Sequence, residues 1–311
     1  MALLGQAQPI VGGSPAGEHK YPFAVYLSVE TEPRWHAVCG GTLVSSRHIV
    51  TAAHCVHGAG RAQMVKVGLG SASVGEQTRR EAQAITVHPQ FDARSLANDI
   101  AVVEIDAVAP GAAVQRAPVY FGPVDAGSVV TAMGWGLTSN APGARTVARM
   151  NAVELEVADP RQCRAVDDRF ASSNGPLLCT ATRPGARDQC SGDSGAPVVI
   201  ALGRPAAAGS DLRLVALTSF GDNIRHDSRP PCADPAGFGF STHVAHYQRF
   251  LTNATGLSRA QLEAPVRPAP SLAHGLHVAS SAPPRPADAG GLALALLLLP
   301  LLLCALLVGR R

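Results

Sequence analysis

Apolar residues along this chain come in short runs, not in long stripes. Between residue 21 and about residue 130 the runs are broken every few positions by Gly, Pro, Ser or Asn, as in Phe23-Ala24-Val25-Tyr26-Leu27, His48-Ile49-Val50 and Ile100-Ala101-Val102-Val103. Runs of that length bounded by turn residues predict strands. A second set follows at Val129-Val130-Thr131, Val153-Glu154-Leu155-Glu156-Val157, Ala196-Pro197-Val198-Val199-Ile200 and Leu214-Val215-Ala216-Leu217. Many short strands separated by turn signals predict an all-β sandwich or a pair of barrels, and periodicity does not choose between them. One segment departs from the pattern: Val244, Tyr247, Phe250 and Leu251 are spaced like one face of a short helix.

The pattern then changes twice. Residues 256–290 are rich in Ala and Pro with few aromatics, too little apolar surface to offset the entropy of ordering, which predicts a disordered linker. Residues 292–308 are almost wholly apolar, and with Gly290 and Gly291 they approach the roughly 18–20 residues that span a hydrocarbon core, so a transmembrane segment is expected over 291–309. Pro300 is tolerated in such a segment. Arg310 and Arg311 follow, and the positive-inside tendency places them in the cytoplasm with the long upstream body outside. The same tail also resembles a bacterial C-terminal sorting signal, removed after export.

Composition narrows the function classes. A net charge of +3 without a Lys/Arg run lacks the electrostatic footprint of a nucleic-acid binder. Of seven cysteines, Cys304 lies inside the apolar tail, leaving Cys39, Cys55, Cys163, Cys179, Cys190 and Cys232 to pair in an oxidising compartment. Six cysteines allow 15 connectivities, and the sequence does not select one. No CxxC or HExxH spacing occurs, so no metal and no cofactor is expected. Glu76 and Glu81 are read as solvated acids and not as a calcium loop.

Three segments carry candidate chemistry. Thr51-Ala52-Ala53-His54-Cys55 follows a strand-like run, Asn98-Asp99-Ile100-Ala101 comes next, and Gly192-Asp193-Ser194-Gly195 follows Cys190. A Ser hydroxyl is a weak nucleophile at neutral pH; hydrolysing a peptide bond needs a base within hydrogen-bond reach and a third group that orients the base. His54, Asp99 and Ser194 can fill those roles.

Together with Ile10-Val11-Gly12-Gly13, these segments resemble the trypsin-like serine protease family over residues 10–251, in the order His, Asp, Ser. The resemblance implies two packed six-stranded antiparallel β-barrels of the chymotrypsin type, at about 10–125 and 126–255, closed by a short C-terminal helix. It implies a triad of His54, Asp99 and Ser194, with the backbone N–H groups of Gly192 and Ser194 holding the oxyanion. It also implies the disulfides Cys39–Cys55, Cys163–Cys179 and Cys190–Cys232. Asp188 matches the base of the primary pocket and would select Arg or Lys. Ser219, Phe220 and Gly221 match the strand that pairs with substrate, and Gly239 matches the pocket wall, with Gly237 as the alternative if the alignment shifts by two. Ala196 stands where the family commonly has Gly, and 219–232 is longer than in compact trypsins, with Arg225, His226 and Arg229 inside it.

The expected function is therefore a serine endopeptidase that cleaves protein or peptide substrates after Arg or Lys through an acyl-enzyme. The alternative is an inactive, membrane-tethered binding module of the same fold. Residues 1–9 are read as a propeptide or the remnant of an export signal, since they are too short for a secretory signal. Cleavage before Ile10 by a separate activating protease would create an ammonium for Asp193, because residues 1–9 contain no Arg or Lys for self-cleavage. The body would lie outside the cell, anchored by its tail or secreted after the tail is removed.

Overall fold

The computed structural model describes residues 10–266 apart from 32–34, 112, 183–186, 203–210 and 228–230. A short strand β1 (Ser14–Pro15) is followed by β2 (Ala24–Thr31), β3 (Trp35–Leu43), β4 (His48–Thr51), β5 (Val65–Leu69), β6 (Thr78–Val87) and β7 (Ala101–Ile105). Strands β2 to β7 close a barrel in the order β2-β3-β4-β7-β6-β5, with β5 returning to β2. The second set is β8 (Val129–Gly134), β9 (Asn151–Val157), β10 (Leu177–Ala181), β11 (Pro197–Ala201), β12 (Leu212–Asn223) and β13 (Gly237–His243). These close in the order β8-β9-β10-β13-β12-β11, antiparallel throughout. The open choice between sandwich and barrels thus resolves as two six-stranded barrels. Strand β1 belongs to the second barrel, where Ser14 and Pro15 pair with Ala152 and Asn151 of β9.

Burial explains which strands show alternation in the sequence. In β9, Val153, Leu155 and Val157 point into the second barrel while Glu154 and Glu156 face water. From Ile100 to Val103, leading into and along β7, there is no alternation because both faces are covered: Ala101 and Val103, with Ile105 beyond, fill the first barrel, and Ile100 and Val102 join the seam between barrels. Strand β4 is split the same way, with Ile49 inside the barrel and Val50 at the seam. The seam also takes Tyr21, Phe23, Met133, Trp135, Leu214, Leu217 and Leu251. Each such side chain contributes about 1.5–3 kcal/mol on burial, so the barrels are joined by a true core.

The C-terminal end differs from its sequence reading. The helix α3 is Gln248–Thr255, beginning four residues after Val244 and ending at Gly256, whose φ of 68° caps it in the left-handed region. Residues 244–247 are not part of it; Val244 and Tyr247 instead sit in the preceding turn, fully or nearly buried. Beyond it the expected linker is not irregular at its start. Ser258 and Gln261 form a reciprocal capping box that opens a further short helix over Arg259–Glu263, and Leu262 of that helix is fully buried in the seam. The Ala/Pro composition of 256–290 concealed this because a single leucine carries the anchor. Among the described residues no helix is long and apolar enough to cross a membrane; the 291–309 span lies outside the described residues.

Candidate active site

The sequence-predicted triad residues converge at the seam. His54 lies in a single helical turn, Ala53–Val56, directly after β4, and Asp99 directly precedes Ile100 and β7. The His54 backbone N–H donates to Asp99 Oδ1 at 2.8 Å, and His54 Nδ1 lies 2.7 Å from Asp99 Oδ2. The Ser219 hydroxyl donates to the same Oδ2 at 2.5 Å, and Thr242 Oγ1 donates to the Asp99 carbonyl at 2.8 Å. Burial alone would push the Asp99 carboxyl up, but the His54 and Ser219 hydrogen bonds outweigh it and hold the group below its ordinary value. An ionised Asp99 thereby fixes the imidazole with Nδ1–H inward and Nε2 toward the cleft.

Ser194 sits on a loop of the second barrel pressed against the first. Its carbonyl accepts from Gly40 N–H of β3 at 2.7 Å, and the disulfide sulfur of Cys55 lies 3.6 Å from the same oxygen. Ala196, buried completely, packs against Gly40, where a Cβ would lie 2.4 Å from the Ala196 methyl. The methyl that replaces the usual glycine is thus accommodated from the opposite strand. Gly192 has φ of 95°, in the left-handed region that glycine tolerates, and among the described residues no protein acceptor engages its N–H or that of Ser194. The Ser194 hydroxyl likewise has no hydrogen-bond partner there; in unliganded sites the nucleophile–base bond is often long and tightens in the substrate complex.

Beside Ser194 opens a cavity of about 170 Å³ with Asp188 in its wall together with Ser219, Phe220, Gly221 and Gly239. A Cβ on Gly239 would lie 3.4 Å from Asp188 Oδ1, whereas one on Gly237 would meet Asp234, so Gly239 is the position that faces the carboxylate. Asp188 is 8% exposed. Burial pushes its carboxyl up to about 6, against hydrogen bonds from the Ala233 and Gln189 N–H groups.

The sequence profile of the trypsin family matches residues 10–251. The chain belongs to that family. Among relatives, it is 31% identical to serine protease 56 of Homo sapiens over 81% of this chain and 40% of that protein. It is 32% identical to an alkaline trypsin C of Manduca sexta over 63% of this chain and 78% of that one. It is 27% identical to transmembrane protease serine 11G of Rattus norvegicus over 82% of this chain and 58% of that one. The chain therefore spans less than two thirds of the length of two of these relatives.

As a trypsin-family chain it forms the three disulfides the resemblance implied, Cys39–Cys55, Cys163–Cys179 and Cys190–Cys232. Closing loops of 16 residues is worth about 3 kcal/mol each in the chain-entropy account. The third bridge ties the Ser194 loop to the pocket rim. The long segment after Gly221 is braced internally: Arg225 pairs with Asp227 and Asp234, and Asn223 Nδ2 donates to both acids at 2.8 Å. It is braced externally by Asn140, which exchanges two hydrogen bonds with the Cys232 backbone. Arg229 lies outside the described residues.

Ile10 is completely buried among Val124, Val130 and Val153 in the core of the second barrel. Asp193, also fully buried, accepts from the Gly136 and Cys190 N–H groups at 2.7 and 3.0 Å. Burial pushes its carboxyl up to about 7, since no cation faces it among the described residues. The one metal-like grouping among the described residues, Cys39, His54 and Cys55, is not a ligand set because both sulfurs are in the disulfide. Glu81 pairs with Lys66 at 2.5 Å, and Glu76 accepts from Ser71, which fits the reading of both as surface acids.

Sequence reasoning missed Thr242, Gln189 and the donor role of Ser219. Thr242 and Ser219 reach Asp99 across 143 and 120 residues, a pairing no local motif encodes. Gln189 stood in plain view beside Asp188, and its place in the pocket wall was readable from adjacency alone.

Proposed function

We propose that this trypsin-family chain is an active endopeptidase that cleaves after Arg or Lys, with Ser194 as nucleophile, His54 as base and Asp99 as orienting acid. The observation that carries the reading is Asp188, a buried carboxylate in the wall of a cavity that reaches Ser194. A cationic side chain entering it pairs with Asp188, while a neutral one leaves the acid desolvated and alone. Arg is favoured because its planar fork offers two parallel donors.

In the reaction, the Ser194 oxygen bonds to the scissile carbonyl carbon as its proton passes to His54 Nε2. Asp99, already bonded to Nδ1–H, stabilises the resulting imidazolium. The carbonyl oxygen becomes an oxyanion within reach of the unengaged N–H groups of Gly192 and Ser194. The tetrahedral species collapses, the C–N bond breaks, and His54 gives its proton to the leaving amine. Water then enters, loses a proton to His54, and releases the acid product and Ser194.

The precursor is inactive by this reading until another protease cuts before Ile10. The freed ammonium then neutralises Asp193, whose carboxylate otherwise stays buried without a counter-charge. The substrates are proteins or peptides met outside the cell, where disulfides persist. The apolar tail anchors the catalytic body to the membrane; the Rattus norvegicus relative is likewise a transmembrane protease. Labelling by a serine-directed phosphonate tests the reading: processed protein should label at Ser194 and the Ser194→Ala variant should not. Folded, processed protein that does not label would leave the binding-module alternative standing.

A further inference from the structure

The mechanism above leaves a second cavity unused. About 720 Å³ opens between the end of β6 and α3, walled by His88, Asn98, His246, Tyr247, Arg249 and Phe250 among others. Its size is that of a small-ligand site. The His88 ring lies 4.9 Å from Phe250 and 5.5 Å from Tyr247, and His246 lies 5.0 Å from Tyr247. These are the separations of interacting aromatic pairs, and the array is open on the cavity side, so a further ring extends it. No Asp or Glu lines the cavity, and Arg249 is exposed with no ion pair among the described residues. An unpaired guanidinium beside an aromatic wall without acids complements a flat apolar body that carries a carboxylate.

The cavity also touches the approach to Asp99. The Tyr247 hydroxyl donates to Asn98 Oδ1 at 3.3 Å, and Asn98 Nδ2 donates to the Gln90 carbonyl at 2.8 Å. Asn98 holds φ of 55°, a left-handed conformation that these two bonds pin, and the next residue is Asp99. A ligand that packs on Tyr247 and differs in affinity for the bonded and unbonded forms of this pair must shift their balance. We propose that this cavity binds a small aromatic carboxylate, its ring against His88, Tyr247 and Phe250 and its carboxylate on Arg249, and that occupancy alters turnover through Tyr247 and Asn98. The effect on turnover rests on the assignment of Asp99 above; the binding does not.

The test uses N-acetylphenylalanine as probe and its amide as the uncharged control. Binding is read on the full chain carrying Ser194→Ala, from the imidazole resonances of His88 and His246, so that it is measured whether or not the protein turns over substrate. Saturable shifts with a Kd on the order of 1 mM are expected, the ligand-efficiency scale for about fifteen non-hydrogen atoms. The amide and the Arg249→Gln variant should each bind at least about fivefold more weakly, the loss of one charge-assisted contact. Phe250→Leu should weaken acid and amide alike. In the processed enzyme the probe should change kcat for an Arg ester by about twofold or more, a threshold set below the usual coupling of about fivefold and upward, and Tyr247→Phe should abolish that change while binding persists. Absence of shifts at about 10 mM, or equal shifts from acid and amide, would overturn the site. Binding that leaves kcat unchanged would overturn the coupling.

Discussion

Replacing Asp193 with Asn should stabilise the uncut chain and cripple the cut one. In the uncut chain burial pushes the Asp193 carboxyl up to about 7 from the ordinary 3.8, with no cation facing it among the described residues. A carboxyl raised in the folded state binds its proton more weakly on unfolding, so stability falls as pH rises from about 4 to 7 and the full penalty is present above 7. Three pKa units correspond to about 4 kcal/mol. Asn removes that penalty but turns an NH2 toward one of the two donors, Gly136 N–H or Cys190 N–H, which costs about 1–3 kcal/mol. The net gain at pH 8 is therefore about 1–3 kcal/mol, and at pH 5, where Asp193 is already neutral, it vanishes or reverses. Urea melts of uncut protein at the two pH values, on a Ser194→Ala background, measure this directly. After cleavage before Ile10 the sign inverts, because the variant offers no partner to the new ammonium, and turnover of an Arg ester should drop by about a hundredfold or more, the scale of losing the oxyanion donors. If Asp193→Asn destabilised the uncut chain as much at pH 8 as at pH 5, the buried-charge account of the switch would be refuted.

Asp188→Ser should remove most of the preference for Arg in a peptide-library cleavage assay, and in wild type KM for an Arg substrate should rise as pH falls below about 6, where the empty-pocket carboxyl takes up its proton. A library cut mainly after Phe or Leu would contradict the pocket assignment. His243 is fully buried, its Nδ1 meets the Gly175 carbonyl and its Nε2 has no partner among the described residues, and burial lowers it to about 4 from 6.5. The unfolded chain then binds the extra proton, so up to about 3 kcal/mol of stability is lost as pH drops from 6.5 to 4, and His243→Leu should flatten that slope in denaturant melts. Gly40→Ala puts a Cβ 2.6 Å from the Ala196 Cα as well as 2.4 Å from its methyl. It should cost about 1–3 kcal/mol in thermal melts and lower kcat, and Ala196→Gly should rescue it only in part because the backbone clash remains.

What could be read in advance follows from where each signal lives. Strand β9 was legible because one face meets water and the Glu residues mark it, whereas the runs Ile49-Val50 and Ile100-Ala101-Val102-Val103, apolar on both faces, told only that they were buried. The triad residues stood out through their local contexts, and the structure brings His54 and Asp99 into contact while Ser194 approaches through its loop. Thr242, Tyr247 and Asn140 gave no such warning, since their importance comes from partners 143, 149 and 92 residues away. The helix over Arg259–Glu263 escaped notice because its capping box, Ser258 with Gln261, is two polar residues in an Ala/Pro-rich stretch, and its attachment is one leucine.

The seam between the barrels makes the active geometry an assembly event. His54 and Asp99 come from the first barrel, Ser194, Ser219 and Thr242 from the second, and β1 near the start of the chain pairs with a strand of the second barrel after the first has intervened. Each barrel's sheet closes on itself, whereas the hydrogen bonds from Ser219 and Thr242 to Asp99 join the two barrels. Contacts so distant in sequence are slow to form. In refolding, β-sheet circular dichroism should therefore recover before phosphonate reactivity does, and the interval between them is the lifetime of a chain that is folded in both halves and blind to substrate.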